Sequence, residues 1–286
     1  MNYQHAFHAG NFADVHKHAV LTRILVYLQQ KPAAFRVIDS HAGAGRYDLF
    51  ADEPSRSGEW REGIARVWTE PALRQGQVGE LLAPYWDAVA ACNPVGALRT
   101  YPGSPLIVQK LIRPQDRLVA CELEPRAAAM LTATVRGDRR AKALAIDGWT
   151  AIGAYVPPKE RRGLVLVDPP FEQPNEFSRL SEELAAAHRK WPTGIYMLWY
   201  PIKTREAPDA LARRLQRLGI AKVLRCEVLL HPPRADGGLA GSGLILVNPP
   251  FTLEAELRIV LPALAQVLAP QAERASQRVD WLAQNA

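Results

Sequence analysis

The stretch Gly163-Leu164-Val165-Leu166-Val167-Asp168-Pro169-Pro170-Phe171 limits the folds open to this chain more than any other. An apolar run rich in β-branched residues reads as a strand buried on both faces, and such strands belong to parallel sheets covered by helices on each side. The run stops at an acid, two prolines and an aromatic, so Asp168 is expected at a carboxyl-terminal strand end. In open parallel α/β sheets that edge is where ligands bind.

The residue types after the strand suit the gripping of a flat heterocyclic amine. A carboxylate accepts one N–H of an exocyclic amino group, and a proline-locked turn at Pro169 aims a backbone carbonyl at the other. Phe171 would stack on the ring. The lone pair of such an amine is delocalised, and two acceptors draw it toward tetrahedral geometry and line it up with an electrophilic carbon. The string resembles the Asp/Asn-Pro-Pro-Tyr/Phe signature of S-adenosylmethionine-dependent amino-group methyltransferases.

Upstream, apolar residues from Val15 to Gln30 recur at helical spacing, with Asp14 placed to cap the start. After Lys31-Pro32, Phe35 to Ser40 reads as the first sheet strand and runs into His41-Ala42-Gly43-Ala44-Gly45. Glycines at alternate positions let a backbone approach a ligand closely. A third glycine near Leu49 is missing, which disfavours a nicotinamide enzyme.

The next convincing strand is Arg117 to Cys121, ending at Glu122, which lies too far along for an uninterrupted βαβ unit. Residues 52–100 are therefore read as an inserted helical subdomain, with 1–51 and 101–286 forming the main domain. Helical patterns occur around Gly63–Trp68 and Val78–Ala91. The arginines of this insertion and Trp60, Trp68, Trp86 and Tyr85 are candidates for nucleic-acid contact, but aromatics at helical spacing are more often core.

Tyr101 to Pro105 reads as a loop entering a helix, Leu106 to Ile112, with Ser104 as cap. Alternation then resumes: strand to Cys121, helix Arg126 to Val135, strand Ala141 to Ile146 closed by Asp147-Gly148, and the strand ending at Asp168. A helix (Asn175 to Arg189), a strand (Gly194 to Tyr200) and a helix (Pro208 to Leu218) follow. The strands Lys222 to Leu230 and Ser242 to Val247 are too closely linked for a helix between them, so they are expected to pair antiparallel. Leu253 to Leu268 and Gln271 to Gln284 are both read as helices. Asn248-Pro249-Pro250-Phe251 repeats the signature, but it is expected at the end of a hairpin on the sheet's edge, and position favours Asp168.

The 286 residues are 48% apolar, enough for a substantial core. No run approaches a membrane span and the amino terminus lacks a signal-peptide pattern, so the cytoplasm is the expected compartment. Cys92, Cys121 and Cys226 are scattered, without a C-x-x-C pair, and read as reduced packing residues. A net charge of +6 points toward a polyanionic partner.

The strand-terminal residues form a set: His41, Gly43 and Gly45, then Glu122, then Asp147 and Gly148, then Asp168. Glu122 suits two ribose hydroxyls, and Asp147 an adenine amine. Joined to the amino-terminal Tyr3-x-His5-x-Phe7-His8-Ala9-Gly10-Asn11-x-Ala13-Asp14-Val15-x-Lys17-His18, this set resembles the RlmJ-type 23S ribosomal RNA adenine-N6 methyltransferases over nearly the whole chain. The resemblance implies an α/β fold with a Rossmann-like class I methyltransferase sheet and a small helical insertion. It further implies that His18, His41, Ser104, Glu122, Asp147 and Gly148 contact S-adenosylmethionine, beside the glycines at 43 and 45. Asp168 would serve the target amine, and Tyr3 and Lys17 would handle the RNA.

Phe171 departs from the tyrosine of many amino-methyltransferases, a change that keeps stacking but loses a hydroxyl. No metal is expected. The partner would be 23S ribosomal RNA, free or incompletely assembled, and the chain a monomer. Rival readings are an amino-group methyltransferase acting on DNA adenine, cytosine N4, guanine N2 or a protein glutamine, and a non-catalytic RNA-binding protein on the same fold.

Overall fold

The structure is a computed structural model that describes residues 5–233, 238–269 and 275–284. Tyr3, expected to handle the RNA, lies outside the described residues. Helix α1 spans Phe12–Gln29 and is capped by Asn11, whose side chain accepts from the Asp14 N–H at 3.0 Å. Asp14, expected as the cap, instead stands in the first turn, where its carboxylate accepts from the Gly10 N–H at 2.9 Å. Strand β1 (Arg36–Asp39) leads through the glycine turn into the short β2 (Arg46–Asp48).

Residues expected as a helical insertion form α2 (Asp52–Ser57), α3 (Glu59–Glu62), α4 (Ile64–Thr69) and α5 (Gly76–Ala91). Trp60, Ile64, Val67, Leu82, Tyr85 and Trp86 are buried in the same apolar cluster as α1. These aromatics are core, as their helical spacing suggested; Trp68 is half-buried and carries the Arg74 guanidinium at 4.6 Å.

Strand β3 (Thr100–Pro102) pairs antiparallel with β2, setting Tyr101 opposite Tyr47 in a small second sheet where a loop was expected. Both rings are buried, so packing rather than any turn signal makes this pair. Helix α6 spans Ser104–Leu111 with Gly103 at its cap, which makes Ser104 the first helical residue and not the capping side chain. The alternation β4 (Arg117–Glu122), α7 (Pro125–Val135), β5 (Ala141–Ala145), α8 (Gly148–Tyr155), β6 (Gly163–Val167), α9 (Glu176–Lys190), β7 (Ile195–Ile202) and α10 (Glu206–Arg217) follows as read except for α8, which the sequence reading did not place between β5 and β6. Strands β8 (Val223–Leu229) and β9 (Gly241–Val247) pair antiparallel, then α11 (Leu253–Leu268) and β10 (Ser276–Ala283) close the described chain.

The sheet runs β10-β8-β9-β7-β6-β1-β4-β5. Strands β5, β4, β1, β6 and β7 are mutually parallel, and β9 runs against both β7 and β8. Side chains alternate between two cores: Val37, Leu164 and Leu166 face α1, α5 and α11, whereas Ile38, Val165 and Val167 face α8, α9 and α10. Burying each such side chain stabilises the fold by about 1.5–3 kcal/mol. The chain is thus an α/β fold with a Rossmann-like class I methyltransferase sheet, mostly parallel with β9 and β10 reversed.

Of the segment Gln271 to Gln284, expected as a helix, the described residues 275–284 are not helical. Within it β10 pairs antiparallel with β8, setting Val279 opposite Cys226. Its Arg278-Val279-Asp280-Trp281 stretch alternates polar and apolar as a strand does, and the open edge of β8, the Arg225–Asp280 pair at 2.8 Å and the Trp281 indole on Glu254 at 2.7 Å hold it there. Between β7 and β8, β9 is interior, and β10 rather than the hairpin expected there takes the sheet's edge.

Candidate active site

Parallel strands deliver their carboxyl ends to one side of the sheet, and there a cavity of about 720 Å³ opens, lined by Ser40 and His41 after β1, Glu122 from β4, Asp147 and Gly148 after β5, and Asp168 after β6. Glycines shape its walls. Gly43 has φ +60°, and a Cβ on it would lie 2.2 Å from the Tyr47 hydroxyl. A Cβ on Gly148 would lie 2.2 Å from the Ser40 carbonyl oxygen and 2.7 Å from the His41 ring.

The carboxylates are oriented by the backbone. Glu122 accepts from the Gly43 N–H on one oxygen at 2.9 Å and from the Glu124 N–H on the other at 2.8 Å. A carboxylate has about four acceptor positions, so capacity for a pair of hydroxyls remains. Asp147 caps α8, taking the Thr150 N–H at 2.8 Å and hydroxyl at 3.0 Å on the same oxygen, Oδ2. Its Oδ1 has no protein donor among the described residues. The Arg179 guanidinium lies 4.0 Å from that Oδ2 and 5.0 Å from the Trp149 ring centroid. His41 packs edge-on against Trp149 at 5.1 Å and shares a 2.8 Å hydrogen bond with Ser40. Burial lowers its imidazole to about 4, so it is neutral near pH 7.

Asp168 is tied from behind. Its Oδ2 receives the Lys17 ammonium, which also lies 2.9 Å from Asp14 Oδ1. Asp14 Oδ2 in turn faces the His5 imidazole at 3.2 Å. The two buried carboxylates hold Lys17 protonated against the desolvation that would otherwise discharge it, and its pKa moves upward. Asp14 moves the opposite way, since the Lys17 and His5 charges overcome its burial.

His41, Gly43, Glu122, Asp147, Gly148 and Asp168 therefore share one cavity, as the sequence grouped them. The remaining expected site residues do not line it. Lys17 is only 4% exposed and paired with Asp14 and Asp168, so it is not placed to touch RNA. His18 is buried behind the wall, donating or accepting through Nδ1 at 2.7 Å to the Tyr101 hydroxyl, which meets the Tyr85 hydroxyl at 2.9 Å. Ser104 is buried, and Gly45 lies beneath Leu131 and Thr134. Pro169 is buried at the turn. Phe171 adopts φ +52°, an uncommon conformation for a bulky residue, and packs on Phe177 at 4.8 Å and Trp199 at 5.6 Å instead of presenting a stacking face to the cavity.

Two residues of this centre were missed. Asp39 ends β1 fully buried, and neither carboxylate oxygen has a hydrogen-bond partner of ordinary geometry. Burial pushes its carboxyl up to about 7, opposed by the Ser104 hydroxyl and reinforced by the Asp168 charge. Asp14 was taken for a cap; its i,i+3 spacing to Lys17 was the signal for an ion pair on one helix face.

The second signature string is elsewhere. Because β9 runs against β7, with Val247 opposite Tyr196, Asn248 emerges at the end of the sheet opposite to Asp168. Its amide donates to the Pro192 and Gly194 carbonyls, both at 2.8 Å, and Phe251 is 84% exposed. The outcome favours Asp168 as expected, but through strand direction and not edge position.

The polar groups converge on a ligand with a diol and an amine, and the glycines leave the room it needs, which fits S-adenosylmethionine. The family described as "Ribosomal RNA large subunit methyltransferase D, RlmJ" matches residues 32–283. The chain is 39% identical over 282 residues to the ribosomal RNA large subunit methyltransferase J of Escherichia coli, covering 99% of each protein. It is 37% identical to the protein of the same name from Haemophilus influenzae, again over 99% of each. A crystal structure of a Legionella pneumophila protein superimposes with a TM-score of 0.87 at 33% identity, covering 96% of this chain and 98% of that one. With this match in sequence and fold around an intact cavity, the chain belongs to the RlmJ family of S-adenosylmethionine-dependent ribosomal RNA large subunit methyltransferases.

Proposed function

We propose that this protein transfers a methyl group from S-adenosylmethionine to the N6 amine of an adenine in 23S ribosomal RNA. One observation carries the reading: Asp168, with one oxygen held by Lys17 and Oδ1 without a protein donor among the described residues, lines the same cavity as Glu122 and Asp147. Glu122 would hold the cofactor's ribose hydroxyls and Asp147 its adenine amine, with Gly43 and Gly148 allowing close approach. The cofactor supplies an activated sulfonium methyl, so the chain's task is alignment.

Asp168 would accept one N–H of the target amine and the Pro169 carbonyl the other, turning the nitrogen lone pair toward the methyl carbon. The surplus proton leaves to Asp168 or to water. The target base must leave its stack to reach this depth, which is easier in a loop or single strand than in a duplex. That requirement supports free or incompletely assembled RNA as the substrate. Action as a monomer in the cytoplasm, with residues 52–100 as an inserted unit, completes the reading; no described helix is long and apolar enough to cross a membrane.

The test is to incubate the protein with labelled S-adenosylmethionine and unmodified 23S RNA, intact large subunits or DNA, then map the methylated nucleotide. A single N6-methyladenine in the naked RNA is the expected result. Methylation of DNA alone, or of a different amine, would replace this substrate with another.

A further inference from the structure

We infer that Phe50, seated on Trp60 at the rim of the cavity, is a stacking platform for an unpaired nucleotide next to the target adenine, flanked by arginines that take the adjoining phosphates. The inference rests on the RNA substrate proposed above.

Phe50 occupies the turn between β2 and α2, and its neighbours in sequence, Asp48, Ala51 and Pro54, line the cavity. Its N–H donates to the Asp48 carboxylate at 3.0 Å, a tight local turn of the kind aspartate favours. The ring is nonetheless 57% exposed, one of few large apolar side chains so open. It is not loose: it leans on the buried Trp60 with centroids 5.4 Å apart at 58°, and the Arg61 guanidinium lies 5.3 Å from the same indole. Nearby, Arg56 sits 5.8 Å from the Phe7 ring.

Charge selects the partner. Within residues 48–62, Asp48 is matched by Arg99 at 3.1 Å, Glu53 by Arg126 at 3.0 Å, Glu59 by His8 at 2.9 Å and Glu62 by Arg66. Asp52 stands in the first turn of α2, where the helix dipole favours it. Arg46, Arg56 and Arg61 are exposed and have no carboxylate partner among the described residues. An exposed aromatic face among unneutralised guanidiniums is a surface for single-stranded nucleic acid. When the target base leaves its stack, its neighbours lose a stacking partner, and the platform gives one of them a substitute beside the cavity mouth.

The experiment uses the whole protein and an RNA fragment containing the mapped target adenine. Phe50→Ala should weaken RNA binding roughly 5- to 100-fold, with the melting temperature and S-adenosylmethionine affinity unchanged. Phe50→Trp should keep RNA affinity, and Phe50→Leu should lose it, since leucine preserves the apolar contact with Trp60 but has no π-face. Placing an abasic nucleotide on one side of the target should erase the difference between wild type and Phe50→Ala. Arg56→Ala and Arg61→Ala should each lower the salt dependence of log Kd by about 0.7, whereas Phe50→Ala should leave it unchanged. Wild-type methylation of the fragment together with equal RNA affinity for Phe50→Ala or Phe50→Leu would overturn the platform alone. If the wild type neither binds nor methylates the RNA, the substrate reading falls and the platform with it.

Discussion

The ammonium of Lys17, in the first turns of α1, is paired with the carboxylate of Asp168, 151 positions later at the end of β6. Asp14 completes the triad from the same helix face, so a buried Asp14–Lys17 pair stands behind the Asp168 carboxylate that lines the cavity. Breaking such an arrangement from one side leaves uncompensated charge. Lys17→Ala should therefore destabilise the protein by about 3–5 kcal/mol and lower kcat while leaving the KM for RNA nearly unchanged. Chemical denaturation and steady-state kinetics check this; a variant with normal kcat and a raised KM for RNA would put Lys17 back on the RNA.

Asp168→Ala should reduce methyl transfer by about 10²-fold or more, because an amine misaligned with the methyl carbon reacts slowly. Cofactor affinity should survive, since Asp168 acts on the amine. Asn248→Ala is the control, on the far side of the sheet; it should keep activity and lose only the stability of two hydrogen bonds, about 1–3 kcal/mol. Equal activity losses in both variants would end the assignment.

Glu122→Ala should weaken S-adenosylmethionine binding by about 1–3 kcal/mol through unpaired ribose hydroxyls. It also frees the Gly43 and Glu124 N–H groups that the carboxylate holds. Titration calorimetry is the measurement, and wild-type affinity is the result that removes Glu122 from the cofactor site.

Acid should destabilise the unliganded protein in a particular window. His16 and His18 are held neutral by burial to about 3, and His41 to about 4, whereas unfolded histidine takes up a proton near pH 6.5. Between those limits the unfolded chain binds more protons than the folded one, so these groups cost stability as pH falls from about 6.5 toward 3. His16→Gln should flatten the slope of unfolding free energy in that range, its Ser242 contact being retained by an amide. An unchanged slope would show that another group titrates.

Asp39 has the opposite sign. Its folded carboxyl, raised to about 7 by burial, keeps a proton that the unfolded chain releases near 4, so stability falls as pH rises from about 4 to 7 and then levels. Asp39→Asn removes this contribution, and its melting temperature relative to wild type should climb across that window. A pH-independent difference would mean that Asp39 stays ionised in the fold.

Apart from α8, the sequence alone carried the order of strands and helices from β4 to α11, since an apolar run such as Gly163 to Val167 and the 3.6-residue stripe of α1 encode their own burial. It also named the polar residues at strand ends, because a parallel sheet sends every such end to one side and so groups His41, Glu122, Asp147 and Asp168. What lay between distant segments was not legible. The direction of β9, which sends Asn248 away from Asp168 although the two strings look alike, depends on pairing with β7. The strand at Ser276–Ala283 depends on the open edge of β8, its alternation at Val279 and Trp281 being too short to outweigh a helical reading of the longer segment. The resemblance put Lys17 on the RNA; only folding α1 against the end of β6 supplies the carboxylate that it meets. Local propensity is written residue by residue, whereas the partner of a buried charge or an edge strand is chosen by whatever the rest of the chain brings within reach.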